Sequence, residues 1–229
     1  MCVTWPIPQQ LMIELHNIGK RYKVRHGEHT VFSGLNMRVN KGEKIGILGR
    51  NGAGKSTLIR LISGAELPNA GRIKRDMSVS WPLAFGGAFQ GSLTGIDNIR
   101  FICRIYQADA ITVIPQVEEF AELGSFLKEP VKTYSSGMLA RLAFGISMAI
   151  EFDCFLIDEV VSVGDSRFQH KCHTELYEKR QDRALVMVTH HPESIRNVCQ
   201  RASVLHQGCL HNFDDVDSAY HFYQEKYPN

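Results

Sequence analysis

What the sequence lacks narrows it first. No apolar run approaches the roughly 20 residues of a membrane-spanning helix. The longest candidate, Leu142 to Ile150, falls far short, so no stretch is expected to cross a membrane alone. Met1 to Gln10 has no basic segment followed by an apolar one, so no secretory signal is expected. The six cysteines (Cys2, Cys103, Cys154, Cys172, Cys199, Cys209) are scattered, with no C-x-x-C pair. They read as reduced thiols of a cytosolic protein rather than a disulfide frame. An excess of either charge is missing too: 26 Lys and Arg against 24 Asp and Glu leave a net charge of +2. That balance argues for neither a nucleic-acid sheath nor an acidic substrate. Repeats and low-complexity segments are absent. With 44% hydrophobic and 22% charged residues, a chain of 229 residues can bury one good core, with at most a smaller subdomain attached.

Against this ordinary background one stretch stands out. Gly49 to Thr57 reads GRNGAGKST and fits G-x-x-x-x-G-K-[ST], with Gly49, Gly54, Lys55 and Ser56 in the fixed positions. Glycines let the backbone curl so that successive N–H groups point at phosphate oxygens. Lys55 adds a cation at the β/γ-phosphates, and the Ser56 hydroxyl can ligate Mg²⁺. The flanks agree. Lys44 to Leu48 is an apolar run that reads as a buried strand, and Lys55 to Ile62 has the spacing of a helix facing a sheet. Strand, glycine loop and helix together aim a helix N-terminus at an anion.

The rest of the chain alternates strands and helices. Leu11 to Ile18 and Val31 to Val39 read as early antiparallel strands, with Arg21-Tyr22 in a polar loop running through Gly27. Gly71 to Arg75 and Met77 to Trp81 read as short strands. Phe85 to Gly95 is a glycine-rich loop. Ile96 to Tyr106 and Val113 to Leu123 have helical spacing, with Pro115 in the first turn of the second helix. Gly137 to Ile150 reads as a buried helix, Cys154 to Ile157 as a strand and Ser166 to Arg180 as a helix. Ala184 to Thr189 is expected to be another buried strand. Pro192 to Gln200 reads as a helix, Ala202 to His206 as a strand, Gln207-Gly208 as a hairpin turn and Asp214 to Tyr223 as a short helix. This order implies an α/β fold with a mainly parallel sheet and ligands at the strand C-termini.

Two further stretches complete a candidate site. Cys154-Phe155-Leu156-Ile157-Asp158-Glu159 is a buried strand ending in two acids. Asp158 is placed to support Mg²⁺, directly or through water, and Glu159 to polarise an attacking water. Thr133 to Arg141 reads TYSSGMLAR, so Ser135-Ser136-Gly137 precedes a long helix. The cluster is either a second anion site or an ordinary helix cap.

Phosphate loop, S-S-G before a helix, hhhhDE and a strand-end His, in that order, resemble an ABC-transporter ATPase subunit. The family's signature is usually L-S-G-G-Q; here it stands as Tyr134-Ser135-Ser136-Gly137-Met138, departing at Ser136 and Met138. Together with DEVVSVGDSRFQHKC (Asp158 to Cys172), YSSGM resembles the branch that exports polysaccharides. WPLAFGGAFQGSLTGIDNIRFICRIY (Trp81 to Tyr106) is similar to the capsular-polysaccharide exporters within it. The likeness runs over nearly the whole chain.

The resemblance implies a P-loop NTPase of ABC ATPase type. A mainly parallel core sheet would carry an N-terminal antiparallel β subdomain and a small helical subdomain. It implies one ABC ATP-binding domain over 1–229, with its core at about 11–89 and 151–229 and the helical part at about 90–150. ATP and Mg²⁺ are the implied cofactors. Tyr22 would stack on adenine. Gly49, Asn51, Gly52, Ala53, Gly54, Lys55, Ser56 and Thr57 would hold the triphosphate. Ser135, Ser136 and Gly137 of a second, head-to-tail copy would close over it. Asp158, Ser56 and Gln90 would serve the metal, with Lys55, Glu159 and His190 as the catalytic groups. Asp165 resembles the aspartate of the dimer contact. Implied partners are a separate polytopic membrane permease and envelope-spanning export proteins, at the cytoplasmic face of the bacterial inner membrane, with no nucleic acid.

Rival readings differ in class. An ABC ATPase acting on DNA or ribosomes would need coiled-coil insertions or two cassettes, and a P-loop kinase would not need Ser135-Ser136-Gly137. An exporter of another cargo, such as O-antigen, teichoic acid or a drug, stays open. Glycan-selecting O-antigen members carry an added C-terminal domain, which is not expected here. His170, Cys172 and His173 suggest zinc only by composition, because Cys172 falls on the apolar stripe of its helix while the histidines share another face.

Overall fold

The computed structural model describes residues 11–25, 27–83, 89–158 and 165–228. Two sheets organise them. β1 (Met12–Val24) and β2 (Gly27–Asn40) form a long antiparallel hairpin, and β4 (Ala70–Arg75) pairs with the other edge of β1. Alternation explains the first half of the hairpin: Ile13, Leu15 and Ile18 face inward with Phe32, Leu35, Met37 and Val39, all nearly or fully buried. The second half departs from the sequence expectation. Arg21 and Tyr22 do not lie in a loop; β1 runs on to Val24, with Tyr22 opposite His29. Backbone pairing to β2, not burial, keeps this polar stretch extended, so hydrophobic periodicity cannot detect it.

The second sheet has the order β5-β6-β7-β3-β8-β9, comprising β5 (Val79–Leu83), β6 (Cys154–Asp158), β7 (Ala184–Thr189), β3 (Lys44–Leu48), β8 (Arg201–His206) and β9 (Cys209–Phe213). Every neighbouring pair is parallel except β8–β9, which is joined by the Gln207-Gly208 turn. The interiors of β6, β7 and β3 carry only apolar residues and glycine because both of their faces are covered. Register brings their C-terminal ends together: Leu48 stands opposite Thr189, and Asp158 opposite Val188. That shared edge positions the site.

α1 (Lys55–Ser63) joins the two sheets into one core through Leu58, Ile59, Leu61 and Ile62, all fully buried. Between β5 and β6 the chain forms α2 (Gly95–Tyr106), α3 (Ala110–Ala121) and α4 (Ser136–Ala149). Phe120 of α3 stacks on Phe144 of α4, ring centroids 5.8 Å apart, and Phe168 meets both edge-on.

Several boundaries differ from the sequence reading, each for a local reason. β5 begins at Val79 rather than Met77 and includes Pro82, which an edge strand tolerates. α3 begins at Ala110 because Asp109 accepts a hydrogen bond from the Ile111 N–H (3.0 Å). Pro115 therefore sits inside the helix, not in its first turn. α5 (Ser166–His173) gives way to a π-helical turn at Thr174–Glu178 instead of continuing to Arg180. α6 is the single turn Glu193–Arg196, where the spacing had suggested Pro192 to Gln200. α7 (Val216–Lys226) is capped by Asp215.

Candidate functional site

The phosphate-loop sequence links β3 to α1. Gly49 leaves the sheet with its N–H donating to the Thr189 carbonyl (3.3 Å), and the Ala53 N–H closes a turn on the Arg50 carbonyl (3.1 Å). Gly52 and Gly54 take φ of 83° and 103°, a region costly for side chains. Among the described residues no side chain caps α1, so the N–H groups of its first turn stay available to an anion. Lys55 is only 6% exposed. Its Nζ donates to the carbonyls of Gly49 (2.8 Å) and Arg50 (3.2 Å), which holds the ammonium within the curl of the loop.

A cavity of about 740 Å³ opens over this loop. It gathers Tyr22, Asn51, Gly52, Gly54, Lys55, Ser56, Thr57 and Asp158 from β1, the loop, α1 and the end of β6. Four lining residues escaped the sequence reading: His29, Val31, Pro82 and Leu83. His29 stands opposite Tyr22 in the hairpin, a register that no hydrophobic periodicity marks. Ser56 and Asp158 supply a hydroxyl and a carboxylate to one cavity, the hard oxygen donors that suit Mg²⁺.

The other candidates lie elsewhere. A Cβ added at Gly49 would lie 3.2 Å from the Leu205 carbonyl oxygen, and Ala53 lines an adjoining cavity of about 380 Å³ with Arg50. His190 follows β7, its ring 3.8 Å from that of His191, and lines a third cavity with Arg50 and the C-terminal helix. Gln90 lies in the turn before α2. Its N–H donates to Asn98 Oδ1 (2.8 Å) and its carbonyl accepts from Asn98 Nδ2 (3.2 Å); the residue does not line the nucleotide-sized cavity. Ser135 caps α4 by accepting from the Met138 N–H (3.2 Å). Ser135 and Ser136 are exposed and Gly137 half-buried, on a surface separate from that cavity. Glu159 lies outside the described residues, as do most of the residues preceding Gln90 in its loop.

Asp165 is engaged within its own chain. It accepts from the Phe168 N–H (2.9 Å) and pairs with Arg141 Nη2 (2.8 Å), whose guanidinium lies 4.3 Å over the Phe168 ring. The Phe168 hydrogen bond, helped by the Arg141 charge, holds its carboxyl below the usual carboxylate range. Burial pushes the thiols of Cys154, Cys172 and Cys199 up to about 12, so none of the three ionises near neutral pH.

The sequence profile of the ABC transporter family matches residues 32–162, more than half of the chain. The chain belongs to the ABC transporter family. This family member is 60% identical over 212 residues to the capsule polysaccharide export ATP-binding protein CtrD of Neisseria meningitidis serogroup B, covering 93% of this chain and 98% of that protein. It is 58% identical over 214 residues to the ATP-binding protein BexA of Haemophilus influenzae, covering 93% and 99% of the two chains. Among solved structures, the dimeric post-hydrolysis state of the ATP-binding cassette MJ0796 bound to ADP and Pi superposes with a TM-score of 0.73 at 20% identity, over 86% of this chain and 96% of that one. That likeness supports the ABC ATPase fold: a mostly parallel sheet with an antiparallel β part beside it.

Proposed function

We propose that this chain is the ATP-binding and ATP-hydrolysing subunit of an ABC transporter that powers export of a capsular polysaccharide. The observation that carries the reading is 60% identity to CtrD along 93% of the chain, in a protein whose phosphate loop, Ser56 and Asp158 line one cavity. The whole chain acts as one ABC ATP-binding domain, with a core at about 11–89 and 151–229 and a helical part at about 90–150.

In this reading the first-turn N–H groups of α1 and the Lys55 ammonium bind the triphosphate, and Tyr22 stacks on the adenine. Ser56 and Asp158 would hold Mg²⁺, with Gln90 as a further candidate. When bound, Mg²⁺ neutralises charge on the β- and γ-phosphate oxygens. Glu159 accepts the proton of the attacking water, and His190 contacts the γ-phosphate from the end of β7. Ser135, Ser136 and Gly137 of a second, head-to-tail copy complete the phosphate shell. ATP then holds the two copies together, because its charge is fully met only between them. Hydrolysis releases them, and the opening and closing is passed to a separate polytopic permease.

Among the described residues no helix is long and apolar enough to cross a membrane. The proposed place is therefore peripheral, at the cytoplasmic face of the inner membrane, with the permease and envelope-spanning export proteins as partners. The test is co-purification of the chain from membranes, with mass spectrometry of its companions. A polytopic subunit in stable association is the expected result. Recovery with nucleic acid or ribosomes and no spanning subunit would overturn the reading.

A further inference from the structure

Tyr22 does not enter the cavity as a lone side chain. Its hydroxyl donates to Glu66 Oε2 (2.6 Å), accepts from Arg60 Nη2 (3.3 Å) and lies 3.4 Å from Thr57 Oγ1. Lys20 Nζ sits 5.0 Å from the centroid of its ring. Glu66 in turn lies 3.5 Å from Arg60 Nε and 3.6 Å from Lys20 Nζ. One carboxylate thus fixes the tip of the aromatic while two cations hold the carboxylate.

The placement of Glu66 follows from the chain around it. Gly64, at φ 84°, ends α1 and turns the backbone, after which the Glu66 N–H donates to the Arg60 carbonyl (3.1 Å). The next residues are stitched to the strand that carries Tyr22. Lys20 Nζ donates to the Leu67 carbonyl (2.9 Å), the Asn69 N–H to the Gly19 carbonyl (2.8 Å), and the Arg21 N–H to Asn69 Oδ1 (2.8 Å). Glu66 therefore joins the antiparallel sheet to the helix that follows the phosphate loop. Burial works against its charge, but the Tyr22 hydrogen bond and the Arg60 and Lys20 charges hold its carboxyl below the ordinary value. It is an acceptor at neutral pH.

We propose that Glu66 is a positioning residue for nucleotide recognition: by fixing the Tyr22 hydroxyl, it presents the ring in one plane for the base before ATP arrives. This rests on the reading of Tyr22 as the aromatic that stacks on adenine. Stacking needs a ring at a set tilt, and a ring already held loses little freedom on binding. The lock also ties the base side of the cavity to Thr57 and Arg60 of α1, so both ends of the nucleotide meet one rigid unit.

The experiment measures equilibrium binding of ATP and of inorganic tripolyphosphate, each with Mg²⁺, to the full chain and its variants. Glu66→Ala is expected to weaken ATP binding about 5- to 10-fold, the scale of one lost hydrogen bond. Tripolyphosphate, which has no base, should bind within about twofold of wild type. Glu66→Gln keeps an acceptor oxygen and should restore most of the loss. Tyr22→Phe should reproduce the Glu66→Ala defect, and combining the two should add nothing. Unchanged ATP affinity in Glu66→Ala, or an equal loss for tripolyphosphate, overturns the proposal. The underlying reading fails separately, and takes the proposal with it, if Tyr22→Ala leaves ATP affinity at the wild-type value.

Discussion

Replacing Gly54 by alanine tests whether the phosphate loop is shaped by the hairpin packed against it. Two independent costs attach to this position. At φ 103° a side chain strains the backbone, at about 1–2 kcal/mol. An added Cβ would also lie 2.5 Å from Val31 Cγ1 and 2.9 Å from Phe32 Cε1. Val31 is β-branched and stiff at χ1, and the Phe32 ring is buried, so neither can swing away; such overpacking costs about 1–3 kcal/mol. Together the loss should reach about 2–5 kcal/mol, a large share of a typical stability of about 5–15 kcal/mol. Gly52 is the control. Its φ of 83° carries the backbone cost, but among the described residues nothing lies within 4 Å of an added Cβ. Urea unfolding at constant slope measures both variants. The expected order is Gly54→Ala well below Gly52→Ala, with part of the difference recovered by adding Val31→Ala. Equal losses at the two glycines would refute the claim that β2 moulds the loop.

Three other outcomes follow from the site and its support. Glu159→Gln keeps the size of the side chain but cannot take up a proton, so hydrolysis should fall roughly 10²–10⁴-fold while ATP still binds and holds a dimer on size-exclusion chromatography. Asp158→Asn, at the cavity itself, should weaken Mg²⁺-dependent ATP binding and leave the chain monomeric under the same conditions. Glu43 accepts from Arg201 Nε and from the Asn40 N–H (2.8 Å); burial raises its pKa, but these bonds hold it below 4.5. A depressed carboxyl contributes above its unfolded value and loses that contribution as pH falls through the folded one. Glu43→Gln should thus cost about 1.5–3 kcal/mol near neutral pH, with the gap to wild type closing below pH 4.5 in denaturant titrations.

What could be read from the sequence was whatever burial or a fixed backbone shape imposes. Gly54, which the motif fixes, stands at positive φ, as does Gly52 in the same loop, and the apolar runs of β3, β6 and β7 are buried strands whose ends meet at the site. Tyr22 was singled out, yet its strand was not, because that stretch is held by pairing between two solvent-facing strands. For the same reason His29 went unseen, although its position opposite Tyr22 lines the cavity. Pro82 and Leu83 reach the cavity only because β5 lies two residues further along than its apolar pattern suggested. The lock on Tyr22 joins residues up to 46 positions apart through side-chain hydrogen bonds and ion pairs, which leave no periodic trace in a sequence. Asp165 was legible as a loop acid, but its bond to Arg141 depends on how α4 packs beside α5.

The central claim is that ATP bound at the Lys55 loop drives polysaccharide out of the cell. The most direct measurement compares surface-exposed and intracellular polymer in cells whose sole copy of this chain carries Lys55→Ala. Loss of one charge-assisted contact to the phosphates costs about 2–5 kcal/mol, a roughly 30- to several-thousand-fold weaker hold on ATP. The account predicts that polymer is still made and accumulates inside, none reaches the surface, and the variant chain is present at wild-type abundance. Surface polymer at the wild-type level in those cells would contradict it.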